Sequence, residues 1–249
     1  MNRKLRVDIW SDIACPWCYI GKRRLEAALD RFAHADEVEV IWRAFELDPT
    51  APKERDPAAS HAARLAKKYG LPVARAEAMI QQNAQIAKGD GLEFQPEKIR
   101  EGNTFDAHRV VHLGAERGIQ DAVKERLMRA YMCEGQLLSD HETLVRLGAE
   151  AGLDANEVRE TLASDRFATA VRGDEREARA LGISGVPFFV LDGRYGVSGA
   201  QPADLLLSAL TQAWEELGQT ADETAEGDET ESAAVCGPDG CAVPGRTPD

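Results

Sequence analysis

The sequence predicts an α/β protein in which two sheet-forming regions are separated by a long, almost wholly helical one. Two strand-like stretches lie within residues 5–47, helical spacing dominates 63–181, and strand patterning returns at 186–198. One domain with an insertion is as reasonable for 249 residues as two domains.

Leu5-Arg6-Val7-Asp8-Ile9-Trp10 alternates and carries branched and aromatic residues, so it reads as a strand. Cys18, Leu25, Leu29 and Phe32 then recur at helical spacing. Pro16 suits the first turn of that helix, where its missing N–H would have had no intrahelical partner. A second strand runs from Val38 through Ile41-Trp42 to Leu47 and is stopped by Asp48-Pro49-Thr50-Ala51-Pro52, completing a β-α-β start.

Helices are expected at 63–69, 73–87, 106–117, 122–132, 141–151, 156–162 and 167–181, punctuated by Gly70-Leu71-Pro72, Gly89-Asp90-Gly91 and Gly182. Val186-Pro187-Phe188-Phe189-Val190-Leu191 and Tyr195-Gly196-Val197-Ser198 form a hairpin about Asp192-Gly193. A last helix starts at Pro202 and carries Leu205, Leu206, Ala209, Leu210, Ala213 and Leu217 on one broad face. Beyond Gly218, six acidic residues between Asp222 and Glu231 lie among small polar ones, too little apolar surface to order a tail. The expected parts are therefore 1–52, a helical insertion 53–180, a returning part 181–218 and a flexible acidic tail 219–249.

The formal net charge of −13 argues against nucleic-acid binding, which needs clustered basic surface. No apolar run approaches the ~18 to 20 residues that span a bilayer. The basic start passes directly into Val7-Asp8-Ile9-Trp10 without an apolar leader, so the expected compartment is the cytoplasm, where disulfides are mostly transient or catalytic.

Cys15-Pro16-Trp17-Cys18 carries the chemistry. The first amides of a helix and its macrodipole favour negative charge, and thiols placed there ionise more readily than a free cysteine. Cys15 is accordingly the expected attacking thiol, Cys18 the resolving one, and Trp17 a bulky uncharged neighbour. A zinc site would need about four ligands, usually from a second close pair some ~12 to 20 residues on, and nothing of that kind follows. Cys133, in a helical run, reads as core filler.

Cys236-Gly237-Pro238-Asp239-Gly240-Cys241 holds two more thiols at a turn. A second redox pair on a flexible tether is the favoured reading over a structural disulfide, a metal hook or a passive tail. His108 and His112, four apart, share a helix face, but no third ligand is evident and a surface or domain-interface role is preferred to a metal site.

Assembled, Ser11-Asp12-Ile13-Ala14-Cys15-Pro16-Trp17-Cys18-Tyr19, Asn103-Thr104-Phe105-Asp106-Ala107-His108-Arg109 and Gly185-Val186-Pro187-Phe188-Phe189-Val190 with Val197-Ser198-Gly199-Ala200-Gln201 resemble the DsbA family of thioredoxin-fold oxidoreductases. The resemblance is nearest to its FrnE-like branch, allied to 2-hydroxychromene-2-carboxylate isomerases, and covers residues 5 to about 217. It implies a thioredoxin fold interrupted by a large helical domain after its second strand. It also implies a cis Val186–Pro187 bond opposite the dithiol, whose neighbouring backbone, with Pro16 and Trp17, binds substrate peptide. In glutathione-dependent relatives the matching segment lines the pocket beside the active centre, which makes Asn103 and His108 substrate-side candidates. Ile9 stands where related enzymes carry a buried acid, and for Asp12 a solvated turn or helix-cap role is expected.

The expected activity is thiol-disulfide exchange, as reductase or isomerase, with protein thiols and disulfides as substrates. Glutathione or a thioredoxin system is a candidate electron source, and no cofactor beyond the redox-active cysteines and no metal is expected. The alternatives are a glutathione-dependent isomerase or transferase of a small aromatic compound, whose relatives carry serine at the attacking position, and a thiol-based metal-binding redox sensor.

Overall fold

The computed structural model of the chain describes residues 4–56 and 60–227. Strand β1 (Leu5–Ser11) leads into helix α1 (Pro16–Leu29), and β2 (Val38–Ala44) returns parallel to β1, with Leu5 opposite Val38 and Ser11 opposite Ala44. The parallel pair is closed by α1, the crossover such strands require. After the insertion, β3 (Phe188–Leu191) pairs antiparallel with β1, and β4 (Tyr195–Ser198) with β3, giving the order β2-β1-β3-β4. At the hairpin, Asp192 (φ 50°) and Gly193 (φ 69°) both take positive φ, a region open to glycine and tolerated by Asp.

The insertion consists of α2 (His61–Tyr69), α3 (Val73–Gly89), α4 (Phe105–Glu116), α5 (Gln120–Met132), α6 (His141–Glu150), α7 (Ala155–Ala163) and α8 (Ala168–Ala180). Helices α2, α6 and α7 start on side-chain caps that satisfy free amides: Ser60 accepts from Ala63 N, Asp140 from Thr143 N, and Asp154 from Asn156 N and Glu157 N. Gly70, in the left-handed conformation at φ 64°, ends α2.

One apolar core runs through sheet and insertion. Leu5, Val7 and Ile9 of β1, Tyr19 and Leu25 of α1, Leu113 of α4 and Leu127 and Met128 of α5 are buried together. Each such side chain contributes on the order of 1.5–3 kcal/mol through burial. A polar staple fixes α8 to the sheet: Trp10 Nε1 donates to the Asp174 carbonyl at 2.9 Å, and the Asp174 carboxylate accepts from Ala44 N at 2.8 Å and Arg43 Nη1 at 3.2 Å.

Helix α9 (Ala203–Gly227) packs Leu206, Leu210, Ala213 and Leu217 into the core. It continues beyond Gly218, where the sequence had suggested that order ends. Gln219, Ala221, Glu223 and Glu226 are strong helix formers, so local propensity favours continuation of the helix there. Cys236 and Cys241 lie outside the described residues.

Candidate active site

Cys15 occupies the N-cap of α1 with extended backbone (φ −93°, ψ 116°), and Pro16 follows as the first helical residue. The Asp12 carbonyl accepts from Cys15 N at 3.3 Å, turning the chain out of β1. The Cys15 carbonyl accepts from Cys18 N at 3.1 Å, the first turn of the helix. Cys15 is 4% exposed and Cys18 is fully buried one turn deeper. The Cys15 thiol donates to the Val186 carbonyl at 3.6 Å, and the Val186–Pro187 peptide is cis, as the resemblance implied. Trp17 and Val186 are half-buried against the core, Pro16 is half-buried, and Pro187 is buried.

Gly21 permits this arrangement. A Cβ there would stand 3.0 Å from Pro187 Cγ and 3.4 Å from Phe189, so α1 approaches the proline because position 21 has no side chain.

Asp12 departs from the sequence expectation: it is 2% exposed, not solvated. Its Oδ2 accepts from Leu47 N at 2.8 Å, its Oδ1 accepts from Ala14 N at 3.3 Å, and His108 Nε2 lies 3.4 Å from Oδ1. These polar neighbours compensate for burial of the carboxylate. Burial raises the acid, but the His108 imidazole and the Leu47 and Ala14 amides outweigh it and hold Asp12 below the usual carboxylate range.

His108 is 1% exposed and faces the dithiol loop from α4, at the interface between insertion and sheet. Burial holds its imidazole below the ordinary value against the pull of Asp12. His112 turns instead to Asp174, 2.9 Å away. Asn103 Nδ2 donates to Glu46 Oε1 at 3.2 Å, and its Oδ1 accepts from Phe105 N at 2.9 Å to open α4. It braces the segment whose Leu47 amide holds Asp12. Among the described residues, no group of three His, Cys, Asp or Glu side chains is placed to hold a metal. Cys133 caps the end of α5, half-buried at the margin of the core.

Two buried groups escaped the sequence reading. Lys124 of α5 is fully buried, donates to the Ser11 carbonyl at 3.3 Å, and lies over the Trp42 ring at 5.6 Å. Burial pushes its amine down to about 8, opposed by Cys18, Asp12, Cys15 and Asp174 in decreasing order. Burial, then Cys15, drives the Cys18 thiol well above its ordinary range, and Lys124 pulls it back. The signal was legible, since Lys124 shares the apolar face of Leu127, Met128 and Tyr131 at helical spacing. The other is Glu46, raised to about 7 by burial against the opposing pull of Arg172.

The site thus holds a dithiol at a helix start, a backbone carbonyl across from it, and buried ionisable groups behind it. The DSBA-like thioredoxin domain family matches residues 6–211. The chain is 46% identical to a probable DsbA oxidoreductase from Streptomyces coelicolor, whose structure it matches over 97% of this chain and 100% of that one with a TM-score of 0.79. The cytosolic disulfide reductase DsbM from Pseudomonas aeruginosa shares 21% identity over 84% of this chain and 98% of its own, with a TM-score of 0.55. A 2-hydroxychromene-2-carboxylate isomerase shares 16% identity over 89% and 98%, with a TM-score of 0.58. At such identities these last two likenesses are of fold.

Proposed function

The chain belongs to the DSBA-like thioredoxin domain family, and on that premise we propose that it exchanges disulfides with protein substrates through Cys15 and Cys18. The observation that carries the reading is the placement of Cys15 at the N-cap of α1, with Val186 O 3.6 Å from its sulfur and Cys18 buried one turn on. Cys15, presented at the helix start, attacks a substrate disulfide as its thiolate and forms a mixed disulfide. Cys18 then attacks Cys15 Sγ, the intermolecular bond breaks, and the substrate leaves as a dithiol while the protein keeps the disulfide. Where the substrate's own thiol resolves the intermediate instead, the outcome is isomerisation.

Reduction or isomerisation in the cytoplasm, with glutathione or a thioredoxin system returning electrons, is the favoured direction. No cofactor is required, because the electron pair resides in the cysteines. Pro16, Trp17, Val186 and Pro187 form the substrate-facing rim, with Asn103 and His108 supporting it from the insertion. Cys236 and Cys241 are proposed as a tethered second pair that exchanges with the first. A glutathione-dependent isomerase is disfavoured by the cysteine at position 15. Dithiothreitol-driven reduction of insulin disulfides tests the reading: turnover by the wild type that Cys15→Ser abolishes supports it, and equal turnover by both overturns it.

A further inference from the structure

Lys124, Asp12 and His108 form a buried ionisable cluster directly behind the dithiol loop, contributed by α5, the β1–α1 turn and α4. A wholly buried lysine is costly unless its charge is used or compensated. Here its Nζ has the Ser11 carbonyl at 3.3 Å and the Trp42 ring at 5.6 Å, while the Asp12 and Asp174 carboxylates, and either cysteine once ionised, supply the negative charge around it. Ser11 is the last residue of β1 and Asp12 opens the turn whose carbonyl binds Cys15 N, so the amine is anchored to the segment that carries the cysteines.

We propose that Lys124 is the positioning residue of the resolving step, its buried ammonium stabilising the Cys18 thiolate as that thiolate attacks the Cys15 mixed disulfide. This role presupposes the dithiol exchange proposed above. The Cys18 S–H bond breaks and its proton passes to solvent. The sulfur then bonds to Cys15 Sγ, and the Cys15–substrate bond breaks with its electron pair on the departing substrate thiolate, which is protonated by water. Cys18 needs such help because burial disfavours its anion.

The charges that face Lys124 set its working range. Cys15 and Cys18 approach from α1, Asp12 from the turn, Asp174 from α8 and His108 from α4. The first four favour the ammonium, and burial opposes them, leaving the amine at about 8. The cation is therefore present at pH 7 and is lost as the pH rises through about 8.

The reduced full-length protein mixed with 5,5′-dithiobis(2-nitrobenzoate) separates the two steps. The first release of nitrothiobenzoate reports attack by Cys15, and the second reports resolution by Cys18. With Lys124→Met the second phase is expected to slow about tenfold at pH 7, equivalent to about one pK unit at Cys18, and to converge on the wild type towards pH 9. The first phase should change much less. A folded variant whose second phase matches the wild type at every pH overturns the assignment. A wild-type profile decides the matter if the variant fails to fold: a flattening near pH 8, where loss of the ammonium offsets gain of thiolate, supports it, and a single unit-slope ionisation overturns it. Absence of the first release from the wild type would sink the dithiol reading itself, and Lys124's role with it.

Discussion

The Cys15 sulfur stands 3.6 Å from the Val186 carbonyl oxygen, a contact between residues 171 positions apart that joins the helix start to the cis-proline turn. The first is delivered by the β1–α1 turn and the second by the entry to β3, both on strands that pair through Ile9 and Phe189. Under the proposed function, substrate peptide that hydrogen-bonds to the backbone at Val186 would be presented to the Cys15 sulfur.

Gly21 controls that spacing from the other side of Pro187. Gly21→Ala gains about 0.8–1.0 kcal/mol of helix propensity. It also places a Cβ 3.0 Å from Pro187 Cγ, and overpacking of this kind costs about 1–3 kcal/mol. A net loss of roughly 1 kcal/mol by urea denaturation, with slower insulin reduction, is expected. A more stable variant with wild-type turnover would show that the proline turn yields freely.

Asp174 ties the insertion to the sheet through the Ala44 amide and Arg43. Asp174→Ala leaves the buried Ala44 amide unpaired, while Arg43, which is half-buried, keeps Asp8 at 2.7 Å, so a loss of about 1–3 kcal/mol is expected. Equilibrium urea denaturation reads that loss directly. A change under about 1 kcal/mol would place the staple among weak surface pairs.

Acid should destabilise the fold in a window that His108 helps to set. Burial keeps the folded imidazole below 6.5, so between its folded value and 6.5 the unfolded chain binds the extra proton and stability falls as the pH falls. Asp12 is depressed instead below 3.8, so its contribution is present above that value and is lost only as the pH drops through its folded value. Urea midpoints measured from pH 7 to pH 5 should decline less steeply in His108→Gln than in the wild type. Equal slopes would assign the decline to the other histidines.

Removal of residues 228–249 deletes Cys236 and Cys241 together with Asp228, Glu229 and Glu231 of the acidic stretch. If the tail pair exchanges with Cys15, the truncated protein turns over insulin at a different rate and its Cys15–Cys18 pair settles at a different redox state. Identical turnover and redox state would make the tail a passenger.

The placement of Cys15 and Cys18 was legible because the short motif lies at a strand-to-helix change, and the inserted helices were legible because apolar residues recur at helical spacing within each, as Val123, Leu127 and Ala130 do in α5. Asp12 was misread as solvated because a lone acid beside a helix start ordinarily caps it in water. Its burial follows from Leu47 N and His108, contacts reaching 35 and 96 positions along the chain. Lys124 was passed over for a related reason: lysine is rarely fully buried, and only the assembled fold shows the charges that compensate it.

Trapping of the intermediate tests the central claim most directly. Cys18→Ser, incubated with a disulfide-bonded protein such as insulin, should accumulate a covalent adduct that mass spectrometry places on Cys15 and that dithiothreitol releases. Cys15→Ser should form none. An adduct that forms equally in Cys15→Ser, or that maps to Cys133 alone, would contradict attack by Cys15 and resolution by Cys18.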